Sequence, residues 1–226
     1  MFSSIFNTFS NCFKIPELKS RIFFTLVILA ICRLISIVHV PGLNVQLLKD
    51  FFDQQSAKGG GGLLGMYSMF TGGALEQCAI GALGIMPYIS ATIIIQLCTA
   101  VVPTLSKLAR EDGGRTKLLQ YGRYLTVLLC IGWGIATAVT WENPANLFQG
   151  FDPSKKLVIY ENIWWYRFQT VLVLTTGTML LMWLGEQITE RGIGNGISLV
   201  ITIGILARLP QAAGGILDMF FPPSGQ

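Results

Sequence analysis

The sequence predicts an all-α protein that crosses a lipid bilayer several times. Three observations support this class: 52% of the 226 residues are hydrophobic, 12% are charged, and the mean hydropathy is +0.57. An average soluble domain has about 25% charged residues, so this chain has too few polar side chains to cover a surface in water. The net charge of +4 is too small to indicate a nucleic-acid interface. We therefore expect lipid to contact much of the protein surface.

Five segments approach the roughly 20 apolar residues that a helix needs to cross the hydrocarbon core. Arg33 is the only Asp, Glu, Lys or Arg residue in the first four of them. A charged side chain at the centre of a spanning helix costs about 2.5–3.5 kcal/mol, so Arg33 is expected either to face protein or water, or to reach the membrane surface. We predict five transmembrane helices, over residues 22–40, 80–102, 124–141, 168–184 and 193–209.

The positions of Lys and Arg predict the orientation of these helices, because basic residues are retained on the cytoplasmic side. Nine of them lie before the first span and in the loops 103–123 and 185–192, whereas six lie on the other side, five in the longer connections and Arg208 near the end of the fifth span. We therefore predict a cytoplasmic N-terminus at residues 1–21 and two cytoplasmic loops at 103–123 and 185–192. Five spans then place Gln226 outside.

A ten-residue apolar segment, residues 63–72, is too short to cross a bilayer, since a helix of this length extends about 15 Å. It follows a run of four glycines, which is typical of a flexible linker, and ends at Gly72-Gly73, where the chain can hinge. The composition fits a helix on the outer leaflet as well as one that docks in a cavity.

The second predicted span is irregular, because Pro87 removes a backbone hydrogen bond from it. Ser90, Thr92 and Gln96 add polar side chains to the same segment. These three residues fit interhelical hydrogen bonding as well as a face that lines a path. A broken span also fits one half of an inverted-repeat transporter for small solutes, but such a site requires converging charges in the membrane, where only Arg33 is available.

Residue patterns typical of enzymes are absent from the sequence. The five cysteines form no CxxC pair and His39 is the only histidine, so metal-ligand spacing is missing; we expect the cysteines to be inert apolar residues. The alternating glycines of GIGNG at 192–196 follow no strand and therefore predict a turn rather than a dinucleotide site. We predict no catalytic residue, no metal and no cofactor, which disfavours a membrane-anchored enzyme.

Two strings closely resemble the signature regions of the SecY family, the central subunits of the protein-conducting translocation channel. They are MFTGGALEQCAIGALGIMPYISATIIIQL at Met69–Leu97 and LLMWLGEQITERGIGNGIS at Leu180–Ser198. The likeness extends through Cys32–Asn44, Gly114–Tyr124 and Thr175–Trp183, so it covers nearly the whole chain in order. It is closer to the bacterial than to the archaeal form.

The resemblance implies specific roles for several of these segments. The short apolar segment matches the plug, which lies on the external side of a constriction. The second and fifth spans match those that supply isoleucines to the pore ring, and the pairs are spaced i, i+4, so that each pair projects from one helical face. Without the resemblance such pairs would indicate only packing. The residues implied are Ile85, Ile89, Ile197 and Ile201 for the ring, and Leu63, Leu64, Met66, Tyr67, Met69 and Phe70 for the plug.

Further positions match the edge of the lateral gate and the surface that contacts cytoplasmic partners. The gate is the seam through which apolar segments leave the channel for lipid, and the resemblance assigns Ser90 and Gln96 to its side. The partner surface is implied in the two cytoplasmic loops. Its residues are Lys107, Arg110, Arg115, Lys117, Glu186 and Arg191.

The resemblance implies a non-enzymatic channel subunit of the bacterial inner membrane, which passes unfolded secretory polypeptides and releases apolar segments into the membrane. The implied partners are SecE, SecG, SecA or the ribosome, the C-terminal half of SecY, and the signal peptides of preproteins, with no sequence-specific binding of nucleic acid. The resemblance implies an architecture of ten spans arranged as two inverted halves. We therefore expect this chain to be an N-terminal half that does not conduct a polypeptide alone.

Overall fold

The computed structural model describes residues 15–50, 72–111, 113–144, 157–160, 162–207 and 209–210. Within these residues the regular structure is helical, apart from two isolated antiparallel bridges. The prediction of an all-α fold is therefore confirmed for this part of the chain. The helices whose bounds both lie in the described residues are α1 (Pro16–Ile35), α2 (Met86–Val101), α3 (Pro103–Arg110), α4 (Gly114–Glu142), α5 (Ile163–Arg191) and α6 (Gly196–Leu206), and residues 45–50 are helical as well.

Two of these helices, α4 and α5, are long and apolar enough to cross a membrane, and α2 and α3 together form a third candidate, bent by 101°. The described residues therefore do not confirm the predicted count of five spans. Both long helices extend past the predicted spans 124–141 and 168–184, because the segments that flank each predicted span continue the helix. The predicted loop 103–123 contains α3, which Pro103 begins after the extended residue Val102.

Helices α4 and α5 lie antiparallel, and an ion pair joins them at each end. Arg123 and Glu186 form one pair, with Nη2 2.8 Å from Oε2. Arg167 and Glu142 form the other, also with Nη2 2.8 Å from Oε2. We use the terms Glu186 end and Glu142 end for the corresponding ends of the helical bundle.

The second predicted span begins as a helix only at Met86, so the first part of residues 80–102 is not helical. Residues 72–85 form consecutive turns, and both Gly72 and Gly73 adopt the positive φ values expected of a hinge, 64° and 87°. The backbone of Ile80 donates a hydrogen bond to Val38 O at 2.8 Å, which holds this segment against the chain that follows α1. Pro87 lies in the first turn of α2, where its missing N–H costs no helical hydrogen bond.

Helix α5 is central, because buried residues along it contribute to all three apolar clusters of the described structure. Two glycines, one in α5 and one at the start of α6, permit close approach of backbone to backbone. A Cβ at Gly177 would collide with the carbonyl oxygen of Ile80, and a Cβ at Gly196 would collide with the carbonyl oxygen of Gly185. These contacts fix α5 against residues 72–85 on one side and against the start of α6 on the other.

The connection between α5 and α6 is shorter than predicted. The predicted loop 185–192 is helical as far as Arg191, which leaves residues 192–195 to make the turn. Thr25 of α1 accepts a hydrogen bond from the backbone of Ile193 at 3.2 Å, and Asn195 caps the N-terminus of α6 by accepting from Ile197 N at 3.0 Å. The turn is thus held by side chains from two helices.

Candidate functional site

Four isoleucines from two separate helical segments meet in one apolar cluster. Ile85, the residue before α2, is 5% exposed and packs with Tyr88 and Met182 in the cluster. Its carbonyl accepts a hydrogen bond from Ile89 N at 3.2 Å, so the chain is already turning into the helix there. The partly buried side chains packed against this core are Ile89, Met179, Ile197, Val200 and Ile201.

The structure therefore brings together all four residues that the family resemblance implies for a pore ring. Their role as a ring remains a prediction, but their chemistry suits one. Branched aliphatic side chains offer no hydrogen bond to water or ions, and such a surface forms a barrier by excluding water. Ile89, Ile197 and Ile201 keep part of their surface exposed, so the cluster presents an apolar face as well as a core.

Arg33 lies close to this cluster and faces protein. A Cβ at Gly72 would lie 2.5 Å from its Nη1 atom, and the half-buried side chain lines a cavity of about 40 Å³ that Ile85 and Ile201 also line. This placement fits the expectation that a charge inside a predicted span faces protein or water. It also puts a cation beside the isoleucines.

A larger cavity of about 310 Å³ lies between α2, α3 and α4, toward the Glu186 end. Gln96, one of the two predicted gate residues, lines it, whereas Ser90 is not among its lining residues. The Thr92 hydroxyl also lines the cavity but donates to Ile89 O at 2.8 Å, so its polarity is used within the helix. The cavity is thus mainly apolar, with Gln96 and Arg115 as polar groups at its wall.

Five of the six predicted partner-contact residues are exposed in the structure, and they gather at the Glu186 end. Those of α3 lie in its last turn, those of α4 in its first turn, and the last residue of α5 completes the surface. Together these basic residues form a positively charged surface at the ends of three helices. The residues are Lys107, Arg110, Arg115, Lys117 and Arg191.

Glu186, the sixth, has a different environment. Its side chain is 17% exposed and accepts two hydrogen bonds from Arg123, from Nε at 3.2 Å and from Nη2 at 2.8 Å. This bidentate geometry is the strong form of a carboxylate–guanidinium contact. Glu186 therefore joins α5 to α4, and its exposed surface for a partner is small.

We expect Glu186→Gln to weaken the α4–α5 contact by about 0.5–1 kcal/mol, because the pair is partly exposed and solvent screens it. Thermal unfolding of the chain in detergent measures the change. In a double-mutant cycle with Arg123→Gln, the two substitutions should be non-additive by a similar amount. Glu142→Gln, which breaks the pair at the other end, is the matched control and should be additive with Arg123→Gln. Additive effects of Glu186→Gln and Arg123→Gln would contradict this role.

The predicted plug lies outside the described residues, except for Gly72 at its end. The four described cysteines are free thiols: three are buried and Cys98 is half-buried. This fits the expectation that they are small apolar residues.

Reasoning from sequence missed Tyr88, Met182 and Arg123 as parts of this region. Neither the length of an apolar run nor a sequence motif shows which residue of another helix a side chain contacts. One signal was present: the same interval of 19 residues separates Arg123 from Glu142 and Arg167 from Glu186. In an antiparallel helix pair, equal intervals bring opposite charges together at both ends.

Known proteins resemble this chain over most of its length. The SecY family profile matches residues 79–223. The chain is 46% identical over 205 residues to a protein translocase subunit SecY of Vibrio cholerae, which covers 90% of this chain and 43% of that protein. For the SecY proteins of Escherichia coli strain K12 and Streptomyces griseus, the identities are 48% over 197 residues and 44% over 218 residues, covering 87% and 95% of this chain.

Two solved structures share the fold. One is described as the structure of a protein conducting channel and the other as Sec61 in the canine ribosome-channel complex from the endoplasmic reticulum. Each has a TM-score of 0.53 and 16% sequence identity and covers 91% of this chain, with 38% and 39% of the two solved chains covered. The chain spans about half the length of the curated relatives it matches, 42–48% for the three named above.

Proposed function

The chain belongs to the SecY family, and from this premise we propose that it supplies the N-terminal half of a channel for protein translocation in a bacterial inner membrane. One observation carries the proposal: Ile85, Ile89, Ile197 and Ile201 meet in a single apolar cluster, although they come from two segments about a hundred residues apart. At a constriction formed by two helices, side chains of both helices must lie next to each other. The proposed role is a passive conduit without covalent chemistry.

In this proposal the isoleucine cluster is half of a pore ring. Flexible aliphatic side chains close around a passing polypeptide of any sequence, and they exclude ions when no polypeptide is present. The plug at residues 63–72 covers the ring from outside, and Gly72-Gly73 supplies the hinge on which it moves. The edge of α2 that carries Ser90 and Gln96 borders the gate through which apolar segments leave, because a helix of about 20 apolar residues favours hydrocarbon.

We place the Glu186 end in the cytoplasm. The exposed basic residues of three helix ends support this orientation, since basic residues are retained there. The same surface is the proposed contact for SecA or the ribosome, which supply the driving energy. The proposed membrane partners are SecE, SecG and a C-terminal SecY half, and the proposed cargo is a preprotein with its signal peptide.

Co-expression of this chain with a C-terminal SecY half, SecE and SecG tests the function. The purified complex, placed in vesicles with SecA, ATP and a secretory preprotein, should protect the preprotein from external protease. Either half alone is the control and should give no protection. A complex that co-purifies yet protects no preprotein would overturn the proposal, and uptake of a small solute by that complex would favour the transporter alternative.

A further inference from the structure

Arg33 lies where four segments of the chain meet beside the isoleucine cluster. It is in the last turn of α1, and its half-buried side chain lines the cavity of about 40 Å³. It is the only charged residue among the described residues that line this cavity. The other lining residues come from the end of α1, from the non-helical segment 72–85, from α5 and from α6, and they include Gly84, Leu181 and Gly204.

Gly72, at the start of segment 72–85, brings the Arg33 side chain and α6 close together. A Cβ at this position would lie 2.5 Å from Nη1 of Arg33 and 3.2 Å from both the Cα and the carbonyl oxygen of Gly204. The φ of 64° is a second reason for glycine here. The backbone at residue 72 therefore approaches both the guanidinium and the backbone of α6.

The end of the same segment lies against the same cavity. Gly84 and Ile85 line it from the non-helical segment, and Ile201 lines it from α6. Ile85 and Ile201 also pack together in the isoleucine cluster. Arg33 is therefore next to both sides of the cluster, although it is not a member of it.

A guanidinium suits this position because it can contact the backbone of several segments at once. It carries five N–H donors in a rigid plane, whereas the ammonium of lysine is a compact point charge. Residues 80–85 belong to a predicted span but are not helical, and non-helical backbone at membrane depth requires protein or water around its polar groups. The last turn of α1 also favours a cation, since the C-terminal end of a helix carries partial negative charge.

We propose that Arg33 is a positioning residue for the isoleucine cluster. Its guanidinium joins the end of α1 to segment 72–85 and to α6, and this contact fixes the separation between Ile85 on one side of the cluster and Ile201 on the other. Without the guanidinium the two sides lose a shared contact and move apart. The consequence for ion leak rests on the proposed channel function, whereas the positioning does not.

A distance measurement on the full chain in detergent tests the positioning. Spin labels are attached at Ile94→Cys on α2 and at Thr202→Cys on α6, which are exposed positions outside the cluster. Cys12 and Cys98 are replaced by alanine, because the other three thiols are buried. Pulsed electron paramagnetic resonance should show that Arg33→Met lengthens the mean distance between the labels by about 1–2 Å, the size of a typical helix shift, and broadens its distribution.

Two further variants control this measurement. Arg167→Met removes a guanidinium from the ion pair at the Glu142 end and should leave the distance unchanged. Arg33→Lys keeps the positive charge but not the planar donors, so it should share the effect of Arg33→Met, and it replaces that variant if methionine prevents folding. A folded Arg33 variant with the parent distance would overturn the proposal, and so would an equal change in Arg167→Met.

The ion conductance of the complete channel separates this proposal from the proposed function. Arg33→Met should raise the resting conductance about tenfold, since the loss of one hydrogen bond from a charged group shifts a two-state equilibrium by about that factor or more. Arg167→Met should leave the conductance unchanged. A longer distance without a change in conductance would support the positioning role and contradict the assignment of the cluster to a pore ring. A higher conductance at the parent distance would overturn the positioning role, because Arg33 would then act through its charge.

Discussion

Gly177→Ala is expected to destabilise the folded chain strongly, at or above the upper end of the roughly 1–3 kcal/mol that overpacking costs. A Cβ at this position collides with the carbonyl oxygen of Ile80. That carbonyl cannot easily move, because Ile80 N is bonded to Val38 O at 2.8 Å and Val40 N is bonded to Cys78 O at 2.8 Å. To relieve the collision, residues 78–80 would have to lose their contact either with α5 or with the chain that follows α1. Thermal unfolding in detergent measures the loss.

Gly132→Ala provides the matched control for this substitution. Gly132 is also in the middle of a long helix, but a Cβ there would meet no atom within 4 Å. Alanine is the better helix former by about 0.5–1 kcal/mol, so this variant should be as stable as the parent chain or slightly more stable. Equal unfolding midpoints for the two alanine variants would show that the contact between Gly177 and Ile80 does not limit the packing of α5.

Ile89→Ser is expected to raise the ion conductance of a complete channel about two- to tenfold. A hydroxyl offers a permeating water or ion one hydrogen bond, worth about 0.5–1.5 kcal/mol, and a barrier lowered by about 1.4 kcal/mol is crossed ten times faster. Ile89 is only partly buried, so the substitution should cost less stability than the same change at Ile85, which is 5% exposed. Planar bilayer recording of the channel assembled from both halves measures the conductance.

Ile94→Ser is the control for the conductance experiment. Ile94 is on the same helix, is exposed and lies outside the isoleucine cluster. Its replacement should leave conductance unchanged, because the hydroxyl would not enter the constriction. If Ile89→Ser and Ile94→Ser both gave the same conductance as the parent channel, the assignment of Ile89 to a pore ring would be contradicted.

The sequence was most informative where hydrocarbon contact determines residue choice. The apolar cores of α4 and α5 were predicted within the helices that the structure contains, because an uncharged run of this length has few alternatives. The helix ends were not predicted. Residues 114–123 continue α4 as a basic helical segment, and apolar content cannot distinguish such a segment from a loop.

The second span shows why the remaining structure could not be predicted from local pattern. Its first residues are as apolar as those of α2, yet Gly84 adopts a φ of 59° and Ile80 bonds to Val38 instead of to its own helix. This choice depends on residues forty positions away. Likewise, the resemblance supplied the four isoleucines, whereas their contact with Tyr88 and Met182 depends on packing between separate helices.

The backbone that follows α1 is bonded to two other segments at the Glu142 end. It pairs with residues 78–80 through His39 and with residues 157–159 through Leu43, where Asn44 N donates to Leu157 O at 2.9 Å and Ile159 N donates to Gly42 O at 3.0 Å. A mechanical load on any one of these three backbone segments is therefore shared by the other two. The rim that they form must therefore yield as one body.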